Sequence, residues 1–110
     1  MSGGPRIIET NTEDRQVDCL RIFQKTHLLS PVPDVLKKIK SKYELDVELR
    51  EEGSKERLYA IFEGEIAGVL MPRLIARIKE CIKNGVAYVA IVEEVTGGRC
   101  IVEIRPKAAK

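Results

Sequence analysis

The sequence predicts a small α+β fold in which a mostly antiparallel, barrel-like sheet of about six short strands carries two helices. Three observations lead there. Tyr43 to Arg50 alternates apolar Tyr43, Leu45, Val47 and Leu49 with Glu44, Asp46, Glu48 and Arg50, the pattern of a strand with one buried and one wet face. Arg57 to Gly85 reads as two short apolar strands joined by a Glu-Gly turn and followed by an amphipathic helix that Asn84-Gly85 stops. Val86 to Val95 and Arg99 to Arg105 flank Thr96-Gly97-Gly98, which is a hairpin signature.

The elements follow in order. Met1 to Asp14 combines Ser2, Gly3, Gly4 and Pro5 with little apolar content and is expected to be a flexible tail. A single domain is expected over residues 15–106, followed by a basic tail at 107–110. Gln16 to Gln24 supplies Val17, Cys19, Leu20, Ile22 and Phe23 for a first strand, with a bulge absorbing the slip in alternation near Leu20. His27 to Pro33 is expected to be irregular, because Pro31 and Pro33 restrict the chain.

A short helix is predicted over 33–42. Pro33 suits its start, Asp34 complements its N-terminal dipole, and Val35, Leu36 and Ile39 share a face. Leu58 to Phe62 is nearly continuous apolar sequence, hence a central strand. Gly68 inside the run from Glu65 to Leu70 marks a bulge or a close backbone approach. The main helix is predicted over 72–84, with Leu74, Ile75, Ile78, Cys81 and Ile82 on one stripe.

Composition excludes several classes. Of the 110 residues 44% are hydrophobic and 33% charged, which suits a soluble globular domain, and no apolar run approaches the length of a membrane span. The net charge of +2 is unevenly spread: +3 over residues 1–42, −5 over 43–68 and +4 over 69–110. A compact fold of this chain presents an acidic and a basic face, or simply two solvated ones. Cys19, Cys81 and Cys100 are odd in number and lack a CxxC pair, so the expectation is three buried thiols, no disulfide framework and no zinc site. That usage and the lack of a signal-peptide pattern point to a cytoplasmic protein. No cofactor is called for.

The run LDVELREEGSKERLYAIFEGEIAGVLMPRLIARIKECIKNGVAYVAIVEEV resembles the HIRAN domain family. The likeness rests on Ala60-Ile61, Gly64 and Gly68, Leu70, the helical stretch 73–82 and Gly85, and covers roughly residues 45–105. It implies a small β-barrel-like module that binds single-stranded DNA, with a helicase or nuclease as partner. The family's Asn-Pro-Tyr-Asp run, which supplies much of its DNA-end pocket, is replaced here by Ser54-Lys55-Glu56-Arg57, and Val69 stands where a polar residue is common. The helix starting at Pro33 is an addition to the family's pattern.

The residues themselves leave two readings open beside an enzyme. A single-stranded nucleic acid needs a basic groove and faces on which bases stack. Arg73 and Arg77, spaced i, i+4 on the main helix, suit two phosphates; Lys37, Lys38 and Arg57 extend the positive surface, and Tyr59 offers a ring unless it faces the core. Alternatively, the acidic set Glu44, Asp46, Glu48, Glu51 and Glu52 suits a basic protein partner, and Arg99 to Arg105 is a candidate edge strand for a partner chain or a homo-oligomer. No catalytic constellation is legible: His27 is the only histidine, and no Ser or Cys stands in a nucleophile context.

Overall fold

The computed structural model describes residues 17–107, so the tail expected at 1–14 and the last three residues lie outside the described part. The chain runs through a 3-10 turn (Cys19–Arg21), β1 (Gln24–Leu29), α1 (Pro33–Leu36), β2 (Glu44–Glu52), β3 (Lys55–Phe62), β4 (Glu65–Leu70), α2 (Ile75–Lys83), β5 (Tyr88–Thr96) and β6 (Arg99–Pro106). All strand pairs are antiparallel, and their order β1-β4-β3-β2-β5-β6 closes on itself, since β1 pairs with both β4 and β6. The α+β, barrel-like class expected from sequence is the class observed.

The period-2 pattern decides which side chains point inward. Leu45, Leu58, Ala60, Ala67, Leu70, Ala90, Val92, Val102 and Ile104 fill the interior and are essentially inaccessible. Large and small side chains are mixed, as a narrow barrel requires. Each fully buried aliphatic side chain contributes about 1.5–3 kcal/mol before conformational entropy is charged against it. The helices close the two ends. Val35, Leu36 and Ile39 plug the end near the β3–β4 turn, where Lys38 reaches Glu65. Ile78 and Cys81 plug the other, where Lys79 reaches the β2–β3 hairpin.

Several expected boundaries shift for identifiable reasons. Of the stretch expected as a strand over 16–24, Gln16 lies outside the described residues, and Cys19–Arg21 form a 3-10 turn instead. Asp18 accepts a hydrogen bond from the Leu20 N–H at 2.9 Å, and the strand begins only at Gln24. The residues from His27 to Leu29, expected to be irregular, belong to that strand because His27 pairs with Ile101 of β6 and Leu28 and Leu29 pair with Leu70 and Val69 of β4. The helix expected over 33–42 ends at Leu36. Lys42, at φ 79°, donates to the Val92 carbonyl and Tyr43 accepts from the Val92 N–H, which draws the chain out of the helix and into the sheet. The main helix begins at Ile75 rather than at Pro72; the residues before it form a turn in which the Ile75 N–H bonds the Pro72 carbonyl at 3.1 Å, and the Gln24 side chain caps the Leu74 N–H at 2.8 Å. The expected edge strand does not exist, as β6 is flanked by β5 and β1.

The cysteines also depart from expectation. Cys19 and Cys81 form a disulfide across 62 residues of sequence, which leaves Cys100 as the free thiol. The 3-10 turn lies against the buried stripe of α2, a tertiary placement that Cys spacing does not encode. Cys100 is buried between strands, and burial pushes its thiol pKa up to about 11.

Two turn positions test the backbone argument. At the β3–β4 turn both Glu63 (φ 50°) and Gly64 (φ 83°) are left-handed, the geometry that suits Asn-Gly. Glu63→Asn is expected to raise stability by roughly 0.5–1 kcal/mol, read as a shift in urea midpoint at constant m. Gly68 sits where the β3–β4 register slips, and a Cβ there would lie 3.0 Å from the Leu28 Cβ and 3.1 Å from the Leu29 carbonyl. Gly68→Ala is expected to cost about 1–3 kcal/mol in the same measurement, since backbone and a barrel-wall side chain must both give way.

Candidate nucleic-acid interface

The basic residues singled out in the sequence divide between the two ends of the barrel. Lys37 and Lys38 follow α1 and line an open depression with Arg50, Gly64 and Glu65 at the β3–β4 turn. Lys38 is ion-paired with Glu65 at 3.0 Å, and that hydrogen bond holds its ammonium pKa above the usual value. Arg57, Arg73 and Arg77 lie toward the other end, where β4 finishes and α2 begins. The length of β4, about 17 Å at ~3.3 Å per residue, separates the two groups, with Arg50 of β2, opposite Arg57 in the β2–β3 register, lying between them.

Arg73 and Arg77 do not form the expected pair on one helix. Arg73 is exposed but precedes the helix, in the turn that leads to Ile75. Arg77 lies on the helix, yet its side chain is only 21% exposed. Its Nε donates to the Val17 carbonyl at 2.9 Å and a terminal nitrogen to Glu80 Oε1 at 2.8 Å. The segment before β1 therefore covers the guanidinium that the sequence places on an open face.

Tyr59 is buried, but outside the barrel. Leu58 and Ala60 point into the core, so Tyr59 faces outward, beside Val69 on β4 and Glu48 on β2. The guanidinium of Arg50 lies 5.6 Å from the ring centroid, and the hydroxyl donates to Glu52. The ring is thus neither the expected base-stacking face nor a core side chain. The hydrogen bond to Glu52 holds the Tyr59 hydroxyl pKa above its ordinary value, with desolvation adding to the effect. Tyr43 rests on Phe62 with ring centroids 5.8 Å apart.

A better-formed groove lies beside α2. Val69, Met71 and Ile75 form its floor; Lys55, Arg57 and Lys79 stand around it with Glu56, and its volume is about 430 Å³. Met71 is 57% exposed, which is high for a large apolar side chain. Lys79 is fixed by a 2.9 Å hydrogen bond from Nζ to the Glu56 carbonyl, and the Glu56 carboxylate is engaged by Lys83. Arg57 pairs with Glu52 at 3.3 Å. Lys55 is exposed at the hairpin tip and makes no ion pair among the described residues. The groove therefore offers an apolar surface with cationic groups along it.

Of the residues expected from sequence, only Arg57 lines this groove. Lys55 and Lys79 were legible as charges in a turn and on a helix, but only the register of β3 against β4 and the start of α2 bring them together. Met71 carried a usable signal: an apolar residue placed directly before Pro72, outside both the strand alternation and the helix stripe.

Comparison of the chain with family models, with curated proteins and with solved structures gives no match. Replacing Glu52 with Gln is expected to lower the ionisation pKa of Tyr59 toward its ordinary value, because the charged acceptor is lost. Ultraviolet titration at alkaline pH checks this, with Tyr59→Phe identifying the tyrosine concerned.

Proposed function

We propose that this chain is a non-catalytic, HIRAN-like binding module that takes single-stranded nucleic acid on the basic surface around α2. The observation that carries this reading is the groove in which Lys55, Arg57 and Lys79 surround Val69, Met71 and Ile75. Phosphates need cations, and bases need an apolar face released from water. The groove offers both within the span of one or two nucleotides. The polarizable thioether of Met71 replaces the aromatic platform common in such sites. The tyrosines are engaged elsewhere, so contact is of the backbone-and-packing kind rather than sequence-reading. In this reading the module is cytoplasmic, a compartment in which the Cys19–Cys81 bond is a transient one rather than a permanent staple, and it serves a helicase or nuclease that acts on the same strand.

A second reading has its own observation. Glu44 and Asp46 are exposed on the outer face of β2 and make no ion pair among the described residues, whereas Glu48 is paired with Arg50 at 2.9 Å. That face suits a basic protein partner or a second copy of the chain.

Fluorescence anisotropy of a labelled single-stranded DNA oligomer separates the two. The expected result is binding that weakens as salt rises. Lys55→Glu combined with Lys79→Glu is expected to weaken it by about tenfold or more at low salt and to flatten the salt slope by about two. Lys37→Glu combined with Lys38→Glu, at the far end of the barrel, leaves it unchanged. Absence of binding at low salt overturns the nucleic-acid reading and leaves the acidic face as the site to pursue.

A further inference from the structure

We propose that the Cys19–Cys81 disulfide is a redox latch that holds the segment 17–21 over Arg77, and that its reduction by a dithiol uncovers this guanidinium on the face of α2. The covered state is described by three contacts. The disulfide joins the 3-10 turn to the helix. Arg77 Nε donates to the Val17 carbonyl. The Tyr88 hydroxyl donates to the Cys19 carbonyl at 2.6 Å.

Among the described residues the rest of the hold is partial. Val17 and Cys19 pack half-buried against the core. None of the three residues of the 3-10 turn is fully buried, and Leu20 is 64% exposed. The Asp18 cap on the Leu20 N–H is local to the turn. The first fully buried residue is Ile22, 1% exposed, and sheet pairing begins at Gln24. A segment with two described hydrogen bonds to the body and only half-buried apolar contacts sits toward the low end of local stability once its covalent tie is cut. The barrel does not depend on that tie, because its closure runs through β1 pairing with β4 and β6.

The chemistry balances with a dithiol as reductant. Its thiolate attacks the sulfur of Cys19, which is half-buried, whereas Cys81 is fully buried. The Cys81 sulfur leaves as thiolate and takes a proton. The second thiol of the reductant then attacks the mixed disulfide and releases Cys19. Two electrons and two protons reach the protein, and the reductant ends as its own disulfide. Opening removes the Val17 carbonyl from Arg77, whose remaining partner, Glu80, is an exposed surface carboxylate. The helix face thereby gains an accessible cation.

The latch itself is tested without any ligand; only the identity of what the uncovered face binds rests on the nucleic-acid reading. The oxidised full chain, the chain reduced with dithiothreitol, and the Cys19→Ser and Cys81→Ala variants are compared by hydrogen exchange and by phenylglyoxal modification mapped by mass spectrometry. The loop closed by the bond is long, so its loss also lowers global stability, and local exchange is the decisive readout. The expected result is loss of protection confined to 17–22, with β3 and β6 still protected, and modification of Arg77 faster by about tenfold in the reduced chain and both variants. Unchanged protection at 17–22 overturns the latch. Loss of protection throughout the barrel overturns it equally, by making the bond a staple of the whole fold. On the opened protein, single-stranded DNA affinity at low salt is expected to rise about fivefold, with a salt slope steeper by about one. If Arg77 opens and affinity does not move, the latch stands and the uncovered guanidinium is no part of the nucleic-acid surface, which is then confined to the groove of Ile75 and Lys79 on another side of α2.

Discussion

The structure depends on one strand being paired on both sides. β1 meets β4 through Leu28 and Leu29 and meets β6 from Gln24 to His27, and with that the ring of strands closes. Closure fixes what the rest of the chain can do. It leaves little unpaired backbone through which a sheet would recruit another strand, and the stretch of β2 beyond Asp46, paired with β3 alone, is such a place. It also commits the inward side chains to filling a narrow interior, so a ligand must be met on the outside. The pinch between β1 and β4 is tight enough that only glycine fits at position 68, where the Leu28 side chain and the Leu29 carbonyl press on the wall. The slip in β3–β4 register beside it is the local cost of drawing the sheet round.

The outer surface is then organised by the two ends of the barrel. Each end is plugged by a helix and rimmed by the loops that turn there, so charges distant in sequence meet at an end while charges close in sequence are parted. Arg57 on β3 and Lys79 on α2 become neighbours of one groove. Lys37 and Lys38 are carried to the opposite end. Much of the remaining charge is used in pairs, such as Lys25 with Glu93 at 3.1 Å and Arg105 with Glu103 at 2.8 Å. Exposed pairs of this kind add little stability. Their effect is to leave few surfaces where one sign of charge dominates, and the groove beside α2 is such a place.

The fold was legible where local chemistry and burial agree. Strand β2 alternates so regularly that its inner and outer faces could be assigned from Leu45 and Glu44 alone. The turns at Glu63-Gly64 and Gly97-Gly98 carry their own backbone demand. Legibility failed where a tertiary partner competed for a backbone group. The turn before the main helix is fixed from outside by Gln24, which caps the Leu74 N–H. Val92 binds Lys42, expected as the last residue of the first helix, to β5 instead. Asp18 turned a stretch with enough apolar residues to be a strand. The candidate site was less legible still. Charge type and helical spacing mark Arg77 as a surface cation, but nothing in a window of residues around it shows that Val17, 60 positions earlier, lies on top of it.

That covering segment joins the closed barrel to the cationic face of α2. A closed barrel with both ends plugged has little internal freedom, and its strands cannot move without breaking pairs on both sides. Change in such a molecule must come from what is attached to the barrel rather than from the barrel. The segment before β1 is attached in this way. It continues into the closing strand, so its position is registered to the sheet at Gln24, yet before Ile22 its described contacts with the body are a sulfur bridge, two hydrogen bonds and the half-buried packing of Val17 and Cys19. Cys81 is an inward residue of α2 and belongs to the core stripe, whereas Cys19 belongs to the attached segment, so the bond joins a fixed element to a detachable one. A disulfide between two strands of the closed sheet would stiffen what is already rigid. Placed here, it governs a neighbour of α2 that can leave without opening the barrel, and the side chain beneath that neighbour is a cation.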